Sequence, residues 1–565
     1  MFSRGNNSAF RIQTPDFEPS TPQQAPSSLQ RPDVLQAFAK MPARHAPAIV
    51  MSTPAPKEIF NKNVYLTAMV ASMGAFIFGY DLAFIGTTIT LKPFTKDFGL
   101  MHATQSQKDA FSANIVSLLQ AGCFFGSLAV APLGDKFGRK PALMVAGVLF
   151  CIGSLMQTVS FGHVWAMFLG RAIGGLGVGL ASGVVPLYVA ELSPPSIRGR
   201  LVGIYEISVQ TGTCIGFWIC YGVQRNMRSN SNQWITPFAV QLIPGVLLII
   251  GMLFVPESPR WLAQHKSRDA CASVLSKLRG LPEDHEYFQE ELNHIMDTVN
   301  DEFETRPSGG MIGQWKELAV PSNRRRVLVG VFIFIFMQGA GSNAINYFSP
   351  RIFKSIGLTG QSTGLYATGI YGVVRLVCVI IAMYYVVDKF GRRNMLMGGA
   401  AVMLVAMWFI GAYIKIAKPE ASGKPHLTAG GYAAVTFIYI FAVGFCFSYA
   451  GVPWIYCAEI FPLRIRGIGM AICTATHWLF NFVIARSVPY MVTNIGYGTY
   501  FVFATCLTLS IVFVYFFLPE TKGLSLEEID ILFGGSGPSS FDAARLEEEK
   551  LGSKSDVVYV ERVSA

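Results

Sequence analysis

One carboxylate inside a long apolar segment constrains this chain more than any other feature. The run from Val64 to Leu91 is almost unbroken and exceeds the length of about 20 residues that a helix needs to cross a bilayer. Asp81 lies well inside it. An ionised side chain at bilayer depth costs about 3 kcal/mol, so it requires an ion-pair partner or a polar cavity. Asp81 therefore marks an ion or substrate path, or else an ion pair that only holds helices together.

The composition is that of a membrane protein. Of 565 residues, 52% are hydrophobic and 14% are charged, whereas soluble domains carry about 25% charged residues. The net charge of +10 is spread over loops and tails, which favours positive cytoplasmic loops over a nucleic-acid partner. The ten cysteines include no CxxC pair, so neither a disulfide framework nor a metal site is indicated.

Hydropathy predicts an all-α membrane protein with twelve transmembrane helices. They lie at roughly 62–91, 110–133, 141–160, 164–190, 200–222, 235–255, 327–356, 362–387, 394–415, 428–457, 468–490 and 497–518. The predicted domains are a disordered tail over 1–57, a six-helix bundle over 58–260, a helical linker over 261–326, a second bundle over 327–522 and a tail over 523–565. Met51 offers a second possible start.

The chain contains an internal repeat. Three motifs recur in the same order, offset by 253, 268 and 263 residues. DKFGRK at Asp135 pairs with DKFGRR at Asp388, AELSPPSIRGR at Ala190 with AEIFPLRIRG at Ala458, and VPESPR at Val255 with LPETKG at Leu518. Shared order and spacing indicate a duplicated six-helix unit whose copies run in the same direction, as in alternating-access carriers.

These motifs resemble the sugar porter family of the major facilitator superfamily over residues 58–530. GYD in span one, Gly170-Arg171 in span four, PESPR after span six and PETKG after span twelve stand in the family's order. Within the family, GSNAINYFSPRIFKSIGLTG and FAVQLIPGVLLIIG resemble fungal quinate permeases and their relatives. The resemblance implies two pseudo-symmetric six-helix bundles around a central substrate site that opens alternately to each side.

Basic residues flanking the linker decide the predicted orientation. Arg260, Lys266 and Arg268 lie at its start, and Lys316, Arg324, Arg325 and Arg326 lie at its end, which favours a cytoplasmic linker and two cytoplasmic termini. We expect a monomer, in the plasma membrane.

Arg171 is the expected partner of Asp81. It lies in the apolar fourth span, where an unpaired guanidinium would be equally costly. An ion pair keeps Asp81 ionised, whereas separation in apolar surroundings favours its protonation. This predicts a proton switch, and the resemblance supports it, because proton-coupled members carry this Asp and Arg while facilitative members often lack the Asp. A static structural pair is the alternative.

Span seven, MQGAGSNAINYFSP, combines helix-weakening residues with amides, as in a broken helix that lines a cavity. Its candidate substrate ligands are Gln338, Asn343, Asn346 and Tyr347. The resemblance implies a sugar site here, but Met337 and Phe348 stand where the family has Gln and Tyr, which argues against simple hexose binding. Asn346 could instead bond only between helices.

Two intramembrane charges depart further from the family pattern. Glu206 in span five stands where sugar-binding members have Gln, and Arg375 lies in span eight. A guanidinium fork holds a carboxylate bidentately, which a neutral sugar does not require. Glu206 is then either a second proton carrier or the partner that neutralises Arg375.

Three further residues complete the predicted site. Trp454 matches the family's substrate-stacking Trp, with a core aromatic as the alternative. His477 and Asn481 lie four residues apart on one face of span eleven, where the resemblance implies polar residues. His477 replaces an Asn, which leaves its role open.

The loop motifs form a separate class. The resemblance implies that their charges form ion-pair networks at cytoplasmic helix ends, which lock the outward-facing state. These gating residues are Asp135, Arg139, Glu191, Arg198, Glu257, Arg260, Asp388, Arg392, Glu459, Arg466 and Glu520.

The leading hypothesis is a proton-coupled transporter that imports quinate or a similar sugar-like hydroxy acid by alternating access. A hexose or galacturonate transporter, coupled or facilitative, is the alternative, followed by a transporter-like nutrient sensor. An enzyme is disfavoured because the sequence contains no P-loop and no HExxH motif, and no cofactor is expected.

Overall fold

The computed structural model describes residues 56–194, 197–304, 310–358, 360–419 and 428–522, with a few residues up to 534. Regular structure within these ranges is helical, with no strand among the described residues. The predicted N-terminal tail, the possible start at Met51 and most of the C-terminal tail lie outside them. The side chains of Arg198 and Asp388 also lie outside the described part.

The first bundle contains six predicted spans. Its helices are α1 (Lys62–Thr88), α2 (Lys92–Asp97), α3 (Gln105–Leu128), α4 (Val130–Phe137), α5 (Arg139–Thr158), α6 (Val164–Leu192), α7 (Arg198–Asn226), α8 (Asn232–Val240) and α9 (Leu242–Phe254). Side chains fix where two of these helices begin. Asn61 caps α1 by accepting from the backbone of Asn63 and Val64, and Thr104 forms a capping box with Gln107 at α3.

The linker helices are α10 (Pro259–His265), α11 (Arg268–Arg279), α12 (Glu286–Glu304) and α13 (Gly310–Leu318). The first three enclose a small core of their own, which includes Trp261, Leu275 and Phe288. Arg279 holds Glu291 by a buried ion pair of 2.6 Å. It also donates to the carbonyl oxygen of Leu192 at the end of α6, so the linker is anchored on the first bundle.

The second bundle repeats the arrangement. Its helices are α14 (Pro321–Gly339), α15 (Ser342–Ser355), α16 (Gln361–Ile381), α17 (Val387–Phe390), α18 (Arg392–Ala417), α19 (Ala429–Cys446), α20 (Val452–Ile460), α21 (Leu463–Asn494) and α22 (Gly498–Phe517). A π-helical turn over Ala382–Val386 joins α16 to α17. The bundles meet along three helix pairs: α3 with α21, α7 with α16, and α1 with α15.

Within the described residues, eleven segments are long and apolar enough to cross a membrane. They correspond to all predicted spans except the fifth. That span is α7. Its 29 residues are long enough, but the helix is less apolar because it contains Glu206, Gln210 and Thr213, which are buried inside the protein. With α7, the helices agree with the twelve predicted spans.

Two spans of the second bundle are broken at their centres. Span seven divides at Gly341, which has φ +89°, and an added Cβ there would lie 2.8 Å from the ring of Phe503. Span ten, predicted as one helix over 428–457, divides between Cys446 and Val452, and Pro453 lies in the first turn of the next helix. Both breaks lie beside candidate substrate ligands.

Glycines let α3 and α6 approach closely. A Cβ on Gly175 would lie 2.2 Å from the carbonyl oxygen of Leu119, and one on Gly122 would lie 2.2 Å from that of Ala172. Backbone contact of this kind is how small residues drive helix association in membranes. It places Arg171 on α6 against α3.

Gly175→Ala should therefore destabilise the protein, because its methyl group would force α3 and α6 apart at a cost of about 1–3 kcal/mol. Gly398→Ala is the matched control, since no atom lies within 4 Å of its added Cβ. Thermal unfolding of the purified variants should show a lower midpoint for the first and an equal or higher one for the second. Equal midpoints would show that the close approach is not required.

Candidate functional site

Asp81 and Arg171 form a bidentate ion pair inside the first bundle. Arg171 Nη1 lies 2.5 Å from Asp81 Oδ1, and Nη2 lies 3.1 Å from Oδ2. The remaining Nε donates to the carbonyl oxygen of Ile115 at 2.9 Å. Both side chains are at most 2% exposed. One guanidinium thus ties α1, α3 and α6 together, and its charge is matched by a carboxylate.

Arg375 is the second buried guanidinium, and its partners are different. Nη1 donates to Ser342 Oγ at 2.8 Å and to Asn346 Oδ1 at 2.9 Å, both on α15. Nε donates to Gln210 Oε1 on α7 at 2.9 Å, across the bundle interface. Its carbon Cζ lies 5.0 Å from the centre of the Phe445 ring. Among the described residues no carboxylate bonds to Arg375, and Nη2 has no acceptor.

A chain of hydrogen bonds runs in two directions from Arg375. In one direction, Gln210 accepts from Arg375 and its Nε2 donates to Glu206 Oε1 at 2.8 Å. In the other, Asn346 donates to Asn343 Oδ1 at 3.3 Å, and Asn343 donates to Gln338 Oε1 at 2.8 Å. The structure thus joins two predicted charges and three predicted amides in one network, with Gln210 as a member that sequence reasoning did not select.

His477 closes the network on α21. Gln338 Nε2 lies 3.0 Å from His477 Nδ1, which accepts this hydrogen bond. The imidazole ring packs against Trp454, with ring centres 5.2 Å apart, and Trp454 packs against Phe334 at 4.8 Å. Trp454 is only partly buried, and it lies beside the break between α19 and α20.

Tyr347 forms a second crossing between the bundles. Its hydroxyl accepts from Gln120 Nε2 on α3 at 2.8 Å and donates to Asn481 Oδ1 on α21 at 3.2 Å. Gln120 is the main residue that sequence reasoning missed. A glutamine within an apolar span is a detectable signal, but only the folded structure shows that it faces the other bundle.

The model of the family "Sugar (and other) transporter" matches residues 67–533. This chain belongs to that family. The quinate permease of Emericella nidulans is 44% identical over 493 residues, which cover 86% of this transporter and 91% of the permease.

Two solved structures are similar to this transporter. The proton:xylose symporter XylE bound to 6-bromo-6-deoxy-D-glucose matches with a TM-score of 0.70 and 27% identity, covering 83% of this chain and 99% of that one. The inward-open conformation of the xylose transporter XylE from E. coli matches with a TM-score of 0.67 and 28% identity, again covering 83% of this chain and 99% of that one. The predicted family and the twelve-helix, two-bundle fold are confirmed. The protein is a multi-pass integral membrane transporter and not an enzyme.

The loop motifs of the transporter lie together at one end of the first bundle, here called the motif end. Arg139 bonds to Glu191 at 2.9 Å and lies 3.4 Å from Asp135. Glu257 accepts from the backbone of Arg139 and Lys140. Burial raises the pKa of the Glu257 carboxyl above its usual value, against the opposing effect of these backbone donors. The network therefore ties the ends of α5, α6 and α9.

The second bundle carries the same network at its motif end. Arg392 bonds to Glu459 at 2.9 Å, and Glu520 accepts from the backbone of Arg392 and Arg393 at 2.8 and 3.0 Å. Arg466 Nε donates to the carbonyl oxygen of Phe461. Arg260 is the second residue of α10. Each of these ion pairs joins helices of one bundle.

The opposite end, here called the far end, carries an ion pair between the bundles. Arg351 Nη1 on α15 lies 2.9 Å from Asp109 Oδ1 on α3. Thr493 on α21 donates to the same carboxylate and accepts from Arg351. These three residues form a latch, and sequence reasoning selected none of them. Separation of the bundles at the far end requires this latch to open.

Asp109→Asn should open the far end, because it removes a charge-assisted hydrogen bond of about 1.5–3 kcal/mol and lowers the ratio of closed to open molecules at least tenfold. Electron paramagnetic resonance distances between spin labels at exposed Met101 and Ile495 should shift to longer values, in a background without the ten native cysteines. Lys96→Gln, which removes an exposed charge at the same end, is the control. An unchanged distance distribution in Asp109→Asn would show that the latch does not hold the bundles.

Proposed function

We propose that this transporter is a proton symporter that imports quinate or a similar hydroxylated carboxylate by alternating access. The observation that carries this proposal is Arg375, a buried positive charge between the bundles whose hydrogen-bond acceptors are all neutral. A buried charge without a counter-charge is costly. A substrate carboxylate would supply that counter-charge, and Nη2 is available to bind it.

The surrounding residues suit the hydroxylated part of such a substrate. Asn343 and Asn346 offer amide donors and acceptors, and the partly buried Trp454 offers an apolar ring face. Glu206 interacts with Arg375 electrostatically, but its hydrogen-bonded link to the guanidinium runs through Gln210, so no carboxylate neutralises Arg375 by direct contact. The similarity to the quinate permease of Emericella nidulans supports this substrate class.

The Asp81–Arg171 pair supports proton coupling. Protonation of Asp81 would remove the charge that holds Arg171, and the two helices could then move apart. Loss of that proton would restore the pair. Glu206 is a second candidate for proton binding, because it is buried and contacts only a neutral amide in the described part. The similarity to a structure described as a proton:xylose symporter supports the same reading.

Alternating access follows from the position of the site between the bundles. Arg375 and Tyr347 both contact residues of the other bundle, so a bound substrate would touch both halves. We place the motif end and both termini in the cytoplasm of a plasma-membrane protein, on the basic residues that flank the linker. We propose that one chain is the transporting unit.

A second candidate is a transporter of neutral monosaccharides or of galacturonate. The network of Gln338, Asn343 and Asn346 suits any vicinal hydroxyl groups. The similarity to XylE bound to a glucose derivative favours a sugar. Uptake of labelled quinate, galacturonate and glucose in a transporter-null host, measured across pH, separates these candidates.

Asp81→Asn should abolish accumulation of substrate against its gradient while leaving exchange of internal for external substrate, because a carboxamide cannot carry the proton. Proteoliposomes with an imposed pH gradient measure both activities. Asp269→Asn, which neutralises an exposed linker residue, is the matched control and should accumulate normally. Accumulation by Asp81→Asn equal to that of the wild type would contradict the coupling role.

Arg375→Gln should weaken quinate uptake more than glucose uptake. A hydrogen bond to a charged group contributes about 1.5–3 kcal/mol, so the KM for quinate should rise at least tenfold relative to that for glucose. Arg375→Lys keeps the positive charge but lacks the guanidinium fork. Its KM for quinate, relative to that for glucose, should lie between those of the wild type and Arg375→Gln. Equal losses for acids and neutral sugars would point to a structural role for the guanidinium.

A further inference from the structure

Gln120 lies at the interface of the two bundles and is fully buried on α3. Its Nε2 donates to the Tyr347 hydroxyl at 2.8 Å, and that hydroxyl donates to Asn481 Oδ1 at 3.2 Å. One phenol oxygen thus holds two carboxamides, one from each bundle. Tyr347 also interacts electrostatically with Asp81, which places the cluster near the ion pair.

Both carboxamides have one polar atom left over. Gln120 Oε1 and Asn481 Nδ2 are buried and have no hydrogen-bond partner among the described residues. Buried polar atoms are nearly always paired, and leaving them unpaired costs free energy. The two atoms are complementary, since one accepts and the other donates. A ligand hydroxyl can do both, so one hydroxyl group bound between the two carboxamides would pair both atoms.

We propose that Gln120, with Tyr347 and Asn481, forms a subsite that binds one hydroxyl group of the transported solute. Gln120 is then a specificity-determining residue contributed by the first bundle, on a helix that carries none of the substrate ligands predicted from sequence. The inference rests on the proposed function only in taking the solute to be polyhydroxylated. A hydroxyl bound here contacts both bundles, so its binding favours the state in which they are close.

A mutant cycle with deoxy substrates tests the proposal. Wild type, Gln120→Leu and Gln241→Leu are compared for inhibition of labelled quinate uptake by unlabelled quinate and by each of its single-deoxy analogues. Gln241 is the matched control, because it is another fully buried glutamine of the first bundle with both amide atoms unpaired among the described residues. Transporter at the cell surface is quantified for every variant.

In the wild type, removal of one particular hydroxyl should weaken inhibition about tenfold, as expected for one hydrogen-bonded group. In Gln120→Leu, inhibition by quinate itself should weaken by about the same factor. The analogue that lacks this particular hydroxyl should then inhibit as well as quinate does. The other analogues should keep their wild-type ratios. Gln241→Leu should keep the wild-type ratio for every analogue, including the one that lacks this hydroxyl. Gln120→Asn, which retains both polar atoms on a shorter stem, should give an intermediate ratio and serves if Gln120→Leu does not reach the surface.

Ratios in Gln120→Leu that equal those of the wild type for every analogue would overturn the proposal and leave a buried water as the occupant. A uniform loss for all analogues would also overturn it and assign Gln120 a structural role. Failure of the proposed function is a separate result, namely the absence of quinate uptake by the wild type. In that case the same cycle is run with the deoxy series of galacturonate or glucose, whichever the wild type takes up.

Discussion

The cost of burying a positive charge organises this transporter. For Arg171 a carboxylate offsets that cost. Two of its nitrogens donate to Asp81, and the third donates to a backbone carbonyl oxygen. Because these acceptors come from α1 and α3, the guanidinium also fixes the packing of the first bundle. Loss of the charge of Asp81 would remove the ion pair between α1 and α6 and leave the hydrogen bond from Arg171 to α3. In the proposed symport mechanism, a proton bound by Asp81 would thereby act on the position of whole helices rather than on one side chain.

Arg375 differs from Arg171 because no carboxylate forms a hydrogen bond with it among the described residues. Its acceptors are neutral and come from α7 on one side and α15 on the other. The charge of Arg171 is therefore balanced inside one bundle, whereas that of Arg375 remains to be balanced between the bundles. A substrate anion would complete the second site only when the bundles hold both sets of acceptors in place. In the proposed mechanism the proton would therefore act on contacts inside the first bundle, and the substrate on contacts between the bundles.

The sequence predicted the fold well because hydropathy and repeated motifs are local signals. Apolar runs set the spans, and Asp135 and Asp388 opened matching motifs that lie at matching helix ends. Contacts between bundles were not predictable. Asp109 and Gln120 are ordinary polar residues of one span until the fold brings them to Arg351 and Tyr347. For Asn346 the sequence left two roles open, and the structure shows that it contacts the Arg375 guanidinium, a position compatible with either role.

The direction of the hydrogen bonds around Arg375 decides what His477 does in this state. A guanidinium carries only donors, so Asn346 must accept from Arg375 with its carbonyl oxygen and donate onwards with its amide nitrogen. The same constraint passes through Asn343 to Gln338, whose nitrogen then faces the imidazole. Reversal of any amide would place two donors face to face, and the guanidinium cannot reverse. His477 is therefore an acceptor at Nδ1, as an asparagine carbonyl oxygen would be at that position. The imidazole also supplies a ring that packs against Trp454.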